Sequence, residues 1–316
     1  MRGWWQDLGD LVLPAECEGC GRPRTTLCAR CADALYGGEP GRVRPSPEPG
    51  GLPVVHAAAP YRDAVREVLL AHKERGALGL AGPLGVALAG AVWAGVLGVG
   101  LSGGGAGAGA GGVGLGGAGG AGGAGGLAAG AVARADVGAG EGVGAGGGAP
   151  NGLRAPLRRP PLLLVPVPSA RKAVRARGHD PARRIAYAAA SELRRSGVAA
   201  RVLAGLRQRR PVADQAGLNS RERLANLAGA LEVPAGARAL LAENGLIVLV
   251  DDLMTTGASL AEAARAIRAA RPRTAQGVGA GSAQRWMERA RELPPRNLII
   301  GAVVAASPGS FEINRN

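Results

Sequence analysis

The sequence predicts an α/β protein, in which a parallel sheet is flanked by helices and preceded by a small cysteine-rich unit. Three observations predict it. The apolar runs at 162–165, 246–250 and 298–304 lack polar alternation, which is typical of strands buried on both faces of a parallel sheet. An alanine-rich run typical of a helix follows the second of these runs at 260–270. All four cysteines lie between residues 17 and 31, ahead of these strands.

The 316 residues divide into four predicted parts. Residues 1–36 hold an amphipathic helix and the cysteine-rich unit, 54–97 a helical region, and 160–308 the sheet domain. Residues 98–152 form an insert that is rich in glycine and alanine. We expect this insert to be disordered, because such side chains bury too little apolar surface to offset the entropy of ordering.

The apolar stretch that begins at residue 77 is long enough to span a bilayer. Pro83, the many glycines and the small side chains instead favour a helix inside a soluble protein, and we expect no membrane span. The first 13 residues carry Asp7 and Asp10 and have no long apolar core, unlike a secretory signal peptide. We therefore expect the protein in the cytoplasm.

The chain is strongly basic, with 38 arginines and lysines against 24 acidic residues and a formal net charge of +14. Only Lys73 and Lys172 are lysines, and this bias, together with 55 glycines, indicates GC-rich codon usage rather than a nucleic-acid-binding surface. The charge still suits phosphates. The single phenylalanine leaves few aromatic platforms on which single-stranded bases could stack.

The cysteines are spaced as two Cys-x2-Cys pairs, which are typical of a tetrahedral zinc site with four thiolates. Such a site is structural, because four protein ligands leave no open position for a reaction. Disulfides and a redox pair are the alternatives. The missing export signal argues against disulfides. The presence of two Cys-x2-Cys pairs argues against a single redox motif. The predicted ligands are Cys17, Cys20, Cys28 and Cys31.

A second pattern follows the apolar run at 246–250. Asp251 and Asp252 come directly after it, and carboxylates there suit the hydroxyl groups of a sugar. Next comes a turn at the start of the predicted helix, where backbone N–H groups and the helix dipole favour a phosphate. An ordinary capped strand–loop–helix connection is the alternative. The predicted phosphate-binding residues are Thr255, Thr256, Gly257, Ala258 and Ser259.

A cationic loop follows the apolar run at 162–165. Because the carboxyl ends of parallel strands meet at one edge of a sheet, we expect this loop beside the phosphate turn, where it suits pyrophosphate. A solvated run of charges is the alternative. The residues concerned are Arg171, Lys172, Arg175 and Arg177.

The stretch 246–260 resembles the phosphoribosyl-pyrophosphate (PRPP) loop of type I phosphoribosyltransferases. The order of the parts is similar to the ComF family, which joins a four-cysteine zinc knuckle to a type I phosphoribosyltransferase domain. Further motifs carry the resemblance: Val165-Pro-Val-Pro168 leading to Arg177-Gly178, and Gln215-x2-Leu218-x4-Arg223-x2-Asn226. The family has an aromatic residue and Asn-Gln after Arg-Gly, whereas this chain has His179, Asp180 and Pro181.

The resemblance implies a phosphoribosyltransferase that transfers phosphoribosyl from PRPP, with Mg²⁺, to an unidentified nitrogen base and releases pyrophosphate. Asp251 and Asp252 would be the catalytic residues, and zinc would be structural. The family's link to natural competence implies DNA or a competence-machinery protein as a further partner. The alternative is a non-catalytic nucleotide sensor or DNA-uptake scaffold that keeps the fold.

Overall fold

The computed structural model describes residues 16–102, 161–212, 220–243, 246–271 and 298–311. The strands are β1 Gly41–Val43, β2 Val55–Pro60, β3 Leu162–Pro166, β4 Ala200–Val202, β5 Arg207–Gln208, β6 Leu231–Glu232, β7 Leu246–Met254 and β8 Leu298–Ala306. The helices are α1 Ala29–Tyr36, α2 Asp63–Glu74, α3 Ala81–Ser102, α4 Arg171–Arg177, α5 Pro181–Arg195, α6 Ser220–Leu227, α7 Ala235–Glu243 and α8 Ala258–Ala270.

The central sheet has six strands in the order β1-β2-β8-β7-β3-β4. All neighbouring strands run parallel except β1, which is antiparallel to β2. A separate antiparallel pair joins β5 to β6. The prediction of a mostly parallel sheet flanked by helices is therefore confirmed, and the carboxyl ends of β8, β7 and β3 meet at one edge.

The strand β7 lies between β8 and β3 and is buried on both faces. Val248 and Val250 pack with α3 and α5 on one face, whereas Ile247 and Leu249 pack with α8 on the other. This double burial is why the sequence shows an unbroken apolar run instead of alternation. The strand extends past the predicted end at residue 250 to Met254, because its pairing with β8 continues to the pair Met254↔Ala306.

The helix α3 fills the space between α5 and the strands β2 and β8. Leu84, Leu88 and Val92 are buried there in the same core as the sheet. The stretch Leu78–Gly98 is long and apolar enough to cross a membrane by length and composition, but half of its most apolar window is buried inside the protein.

Residues from all four predicted parts, including the start of the insert, belong to one compact unit in the structure. The strand β2, from the part predicted at 54–97, pairs with β8 from the part predicted at 160–308. The helix α3 ends at Ser102, inside the predicted insert. The predicted helix at 1–13, the remainder of the insert and the irregular region at 277–296 lie outside the described residues, and the domain boundaries stay predictions.

Close packing of α3 on α5 depends on Gly85. A Cβ atom added there would lie 2.8 Å from the backbone carbon of Ala188 and 2.9 Å from the backbone nitrogen of Ala189. In the same helix, a Cβ at Gly90 would meet only Pro40, at 3.4 Å.

We therefore expect Gly85→Ala to lower the free energy of unfolding by about 1–3 kcal/mol, because α3 must move away from the α5 backbone. Gly90→Ala is the matched control and should raise it by up to about 1 kcal/mol, through helix propensity alone. Urea denaturation measures both. Stabilisation by Gly85→Ala would contradict the close helix contact.

Candidate functional site

Two adjacent carboxylates stand at the carboxyl end of β7. Asp251 and Asp252 are strand residues, paired in register with β8 through Asp251↔Val303. Asp252 is buried and Asp251 is half-buried. The Asp252 backbone N–H donates a hydrogen bond of 2.9 Å to Asp251 Oδ1. Both aspartates therefore lie within the strand, whereas the sequence predicted that they come directly after it.

Lys73, on the last turn of α2, holds one member of this pair. Its Nζ lies 2.8 Å from Asp252 Oδ2, and the two side chains are 33% and 8% exposed. Burial acts to raise the pKa of Asp252, but the Lys73 ammonium outweighs it and lowers that pKa below the ordinary value. Burial and the adjacent charge of Asp252 raise the pKa of Asp251 well above the ordinary value.

The two carboxyl groups therefore differ in chemistry. As the pH rises, Asp252 loses its proton first, because Lys73 stabilises its charge. Asp251 keeps its proton to higher pH and can then donate a hydrogen bond as well as accept one. The pair can bind two neighbouring hydroxyl groups through both kinds of contact.

The predicted phosphate-binding residues form the turn between β7 and α8. Gly257 adopts a left-handed conformation with φ of 72° directly before α8 begins. A Cβ atom there would come within 3.1 Å of the Leu52 side chain, so both the backbone angle and the space favour glycine. The first N–H groups of α8 have no acceptor within the helix. The exposed Thr255 hydroxyl accepts a hydrogen bond of 3.3 Å from Arg223.

The four predicted basic residues lie on the short helix α4 rather than in a loop. They do not face one site. Arg177 turns towards α2, where its Nη1 lies 3.2 Å from Glu74 Oε1. Arg171 and Arg175 line a pocket bordered by β5, and Lys172 is exposed. Only Arg177 is therefore placed next to the helix that carries Lys73.

The segment that departs from the ComF pattern has local structural roles. Both ring nitrogens of His179 lie 3.1 Å from backbone oxygens, one of Arg177 and one of His72. The Asp180 side chain caps α5 by accepting from the Arg183 N–H, and Pro181 occupies the first turn. His179 therefore connects the end of α4 to the end of α2, beside Lys73.

The four cysteines come together near the N-terminus. Their Sγ atoms all lie within 4.8 Å of one another, and three of the residues are buried. A metal bound tetrahedrally at about 2.3 Å separates its sulfur ligands by roughly 3.8 Å, so the cluster can hold one metal ion. Burial acts to raise the pKa of Cys17, but backbone N–H groups lower it to about 6.

This cysteine cluster packs on α2. Ala64 of α2 contacts the buried cysteines, and a Cβ atom on Gly19 would lie 3.3 Å from Val68. Arg75, just after α2, bonds Glu18 at 3.3 Å. The same helix therefore contacts the cluster along its length and carries Lys73 to Asp252 at its end.

Lys73 is the site residue that the sequence pattern did not identify, since a helix end at that position is usually a solvated charge. One signal could have found it: lysine is rare in this chain, where arginine supplies almost every other positive charge. Its partner Asp252 is distant in sequence, so only the fold brings the two together.

Comparison with known proteins does not assign the site. No protein-family model matches the chain. The curated proteins include no significant match. The chemistry of the site must therefore be argued from its own residues.

We expect Lys73→Met to lower the free energy of unfolding near pH 7 by about 1–3 kcal/mol, because Asp252 would be buried without its cation. Since Lys73 lowers the pKa of Asp252 in the folded state, this stabilisation is present above the unfolded value of about 3.9. It is lost as the pH falls through the lower folded value.

Urea denaturation of wild type and Lys73→Met between about pH 3 and pH 7 measures this dependence. Lys172→Met, which removes the other, exposed lysine, is the control and should change stability by less than about 0.5 kcal/mol. Equal losses in the two variants, or a Lys73→Met loss that does not shrink in acid, would contradict the role of the ion pair.

Proposed function

We propose that the protein binds PRPP at the carboxyl edge of the sheet and transfers its phosphoribosyl group to a nitrogen acceptor. The observation that carries the proposal is the pair Asp251–Asp252 at the end of the central strand, directly before the left-handed Gly257 and the start of α8. This arrangement joins acceptors for a sugar diol to donors for a phosphate. A type I phosphoribosyltransferase fold of the ComF kind is part of the same proposal.

The 5-phosphate would lie in the turn before α8. The first N–H groups of α8 and the hydroxyls of Thr255, Thr256 and Ser259 supply donors there, and the helix dipole favours the negative charge. Gly257, without a side chain, lets the phosphate approach the backbone. Arg223, which already bonds Thr255, adds a positive charge at the rim.

The ribose hydroxyls would bind Asp251 and Asp252. Lys73 keeps Asp252 ionised and holds its carboxylate in place. Carboxylate oxygens are the ligands that Mg²⁺ prefers, and Mg²⁺ is usually held by one or two carboxylates together with phosphates of the substrate. Asp251 and Asp252 therefore fit a Mg²⁺ ion, which would supply positive charge for the pyrophosphate group.

In the reaction, the nitrogen lone pair of the acceptor forms a bond to the anomeric carbon of the ribose. The bond from that carbon to the pyrophosphate oxygen breaks, and pyrophosphate leaves with the electron pair. Positive charge develops on the ribose ring while the leaving group gains negative charge. Arg177 is the basic residue of α4 best placed to stabilise that charge, and the chain otherwise acts through positioning.

A non-catalytic nucleotide sensor or DNA-uptake scaffold is the second candidate. The observation that favours it is the Lys73–Asp252 ion pair, which occupies a carboxylate that the sugar would use. One product distinguishes the two functions. Only the enzyme would release pyrophosphate from PRPP when a suitable acceptor is present. A cytoplasmic location, and DNA or a competence-machinery protein as partner, belong to either proposal.

We expect titration calorimetry with PRPP and Mg²⁺ to detect binding by the wild type. The double variant Asp251→Asn/Asp252→Asn should weaken it by about a hundredfold or more, because both carboxyl groups that would bind the diol are lost, including the ionised Asp252. Arg195→Gln, an exposed residue on α5, is the control and should bind as the wild type does. Equal affinity in the double variant would place PRPP elsewhere, and no binding by folded wild type would refute the proposal.

We also propose that zinc is the metal of the cysteine cluster, in a structural role, because four thiolates suit its tetrahedral preference. Cys20→Ser should then lower zinc content and reduce the free energy of unfolding by more than about 2 kcal/mol, since metal binding stabilises the unit that packs on α2. Elemental analysis and urea denaturation measure the two effects. Arg30→Ser, exposed between the ligands, should keep the metal; a full zinc content in Cys20→Ser would contradict the site.

A further inference from the structure

A pocket borders α4, and none of its lining residues belongs to α2. Its volume is about 360 Å³, which falls within the usual range of small-molecule sites, about 300–1,000 Å³. It lies between the loop after β3, the helices α4 and α5, and the segment from Ala204 to β5. None of its lining residues belongs to the PRPP site proposed above.

Positive charge dominates the lining, which includes Arg171, Arg175, Arg183 and Arg207. The last two already have partners: Arg207 bonds Glu232 at 2.7 Å, and Arg183 lies 5.8 Å from the centre of the Tyr187 ring.

Arg171 and Arg175 are exposed, and neither has an ion-pair or hydrogen-bond partner among the described residues. They stand four residues apart on one face of α4, where two like charges repel each other. An anion between them would relieve that repulsion and accept hydrogen bonds from both guanidinium groups.

The carboxylate in the lining, Asp180, does not neutralise these two arginines. Its Oδ1 accepts from the Arg183 N–H at 3.2 Å and from the Ser169 hydroxyl at 3.4 Å. Its Oδ2 accepts from the Ser169 N–H at 3.4 Å. Asp180 therefore holds the loop after β3 against α5, and leaves the pocket positively charged.

The rest of the lining is mostly apolar, apart from Ser169, which bonds Asp180, and Gln208. Pro166, Pro168, Val174 and Leu206 provide surface against which a flat ring can pack. The Gln208 amide offers both a donor and an acceptor to the edge of such a ring. A simple anion would use only the arginine side of this pocket.

We propose that this pocket binds a nucleoside monophosphate, with Arg171 and Arg175 on its phosphate and the proline- and leucine-lined side against its base. The site goes beyond the proposed transfer reaction and does not require it. Its lining includes Arg171 and Arg175 but not Arg177, Lys73, Asp251 or Asp252.

The test is titration calorimetry of the full-length protein with adenosine 5′-monophosphate (AMP), in low salt and without PRPP. We expect Arg171→Gln/Arg175→Gln to weaken AMP binding by about tenfold or more, since both charged donors to the phosphate are lost. Circular dichroism checks that the exposed substitutions leave the fold intact. The control Arg201→Gln/Arg238→Gln removes two exposed arginines that do not line the pocket, and should bind AMP as the wild type does.

Two further titrations distinguish this pocket from the PRPP site and from a site for simple anions. Asp251→Asn/Asp252→Asn should keep its AMP affinity; a parallel loss would mean that AMP occupies the PRPP site and would overturn the proposal. Inorganic phosphate should bind about tenfold more weakly than AMP, because it cannot use the apolar side. Equal affinities for phosphate and AMP, no AMP binding by wild type, or no effect of Arg171→Gln/Arg175→Gln would each overturn it as well. Because these titrations use no PRPP, failure here leaves the proposed transfer reaction untouched.

Discussion

The ion pair between Lys73 and Asp252 joins the parts of this protein that carry chemistry. It ties the end of α2 to the carboxyl end of β7 at 2.8 Å, with the aspartate almost fully buried. Around it, His179 and Arg177 connect α4 to the same end of α2. A buried carboxylate without its cation is costly, so α2, α4 and β7 are held in one arrangement at the edge where the proposed substrate binds.

The cysteine cluster is connected to the candidate site through α2. It packs along α2, through Ala64 and Val68, and the other end of that helix supplies Lys73. A metal in the cluster would therefore act on the site through the position of α2, without touching the substrate. The cysteine cluster and the sheet belong to one compact unit.

Much of the fold was predictable because buried segments leave a recognisable local pattern in the sequence. The double-sided burial of β7 produced an apolar run, Gly257 marked the turn, and the cysteine spacing predicted a cluster that the structure confirms. Contacts between distant segments left no such pattern. Lys73 resembled an ordinary helix end, and the basic residues of α4 could not be assigned to two different faces until the helix itself was known.

The chemistry proposed for the site could also be predicted from residues that are close together in the sequence, namely two aspartates, a turn and the start of a helix. What the sequence did not reveal was the state of the aspartates. Lys73 lowers the pKa of Asp252, whereas burial and the Asp252 charge raise that of Asp251. The most direct test is a crystal structure with PRPP and Mg²⁺. The account predicts the 5-phosphate at the start of α8 and the ribose hydroxyls on Asp251 and Asp252. PRPP ordered only in the arginine-lined pocket beside α4, or anywhere away from β7, would contradict it.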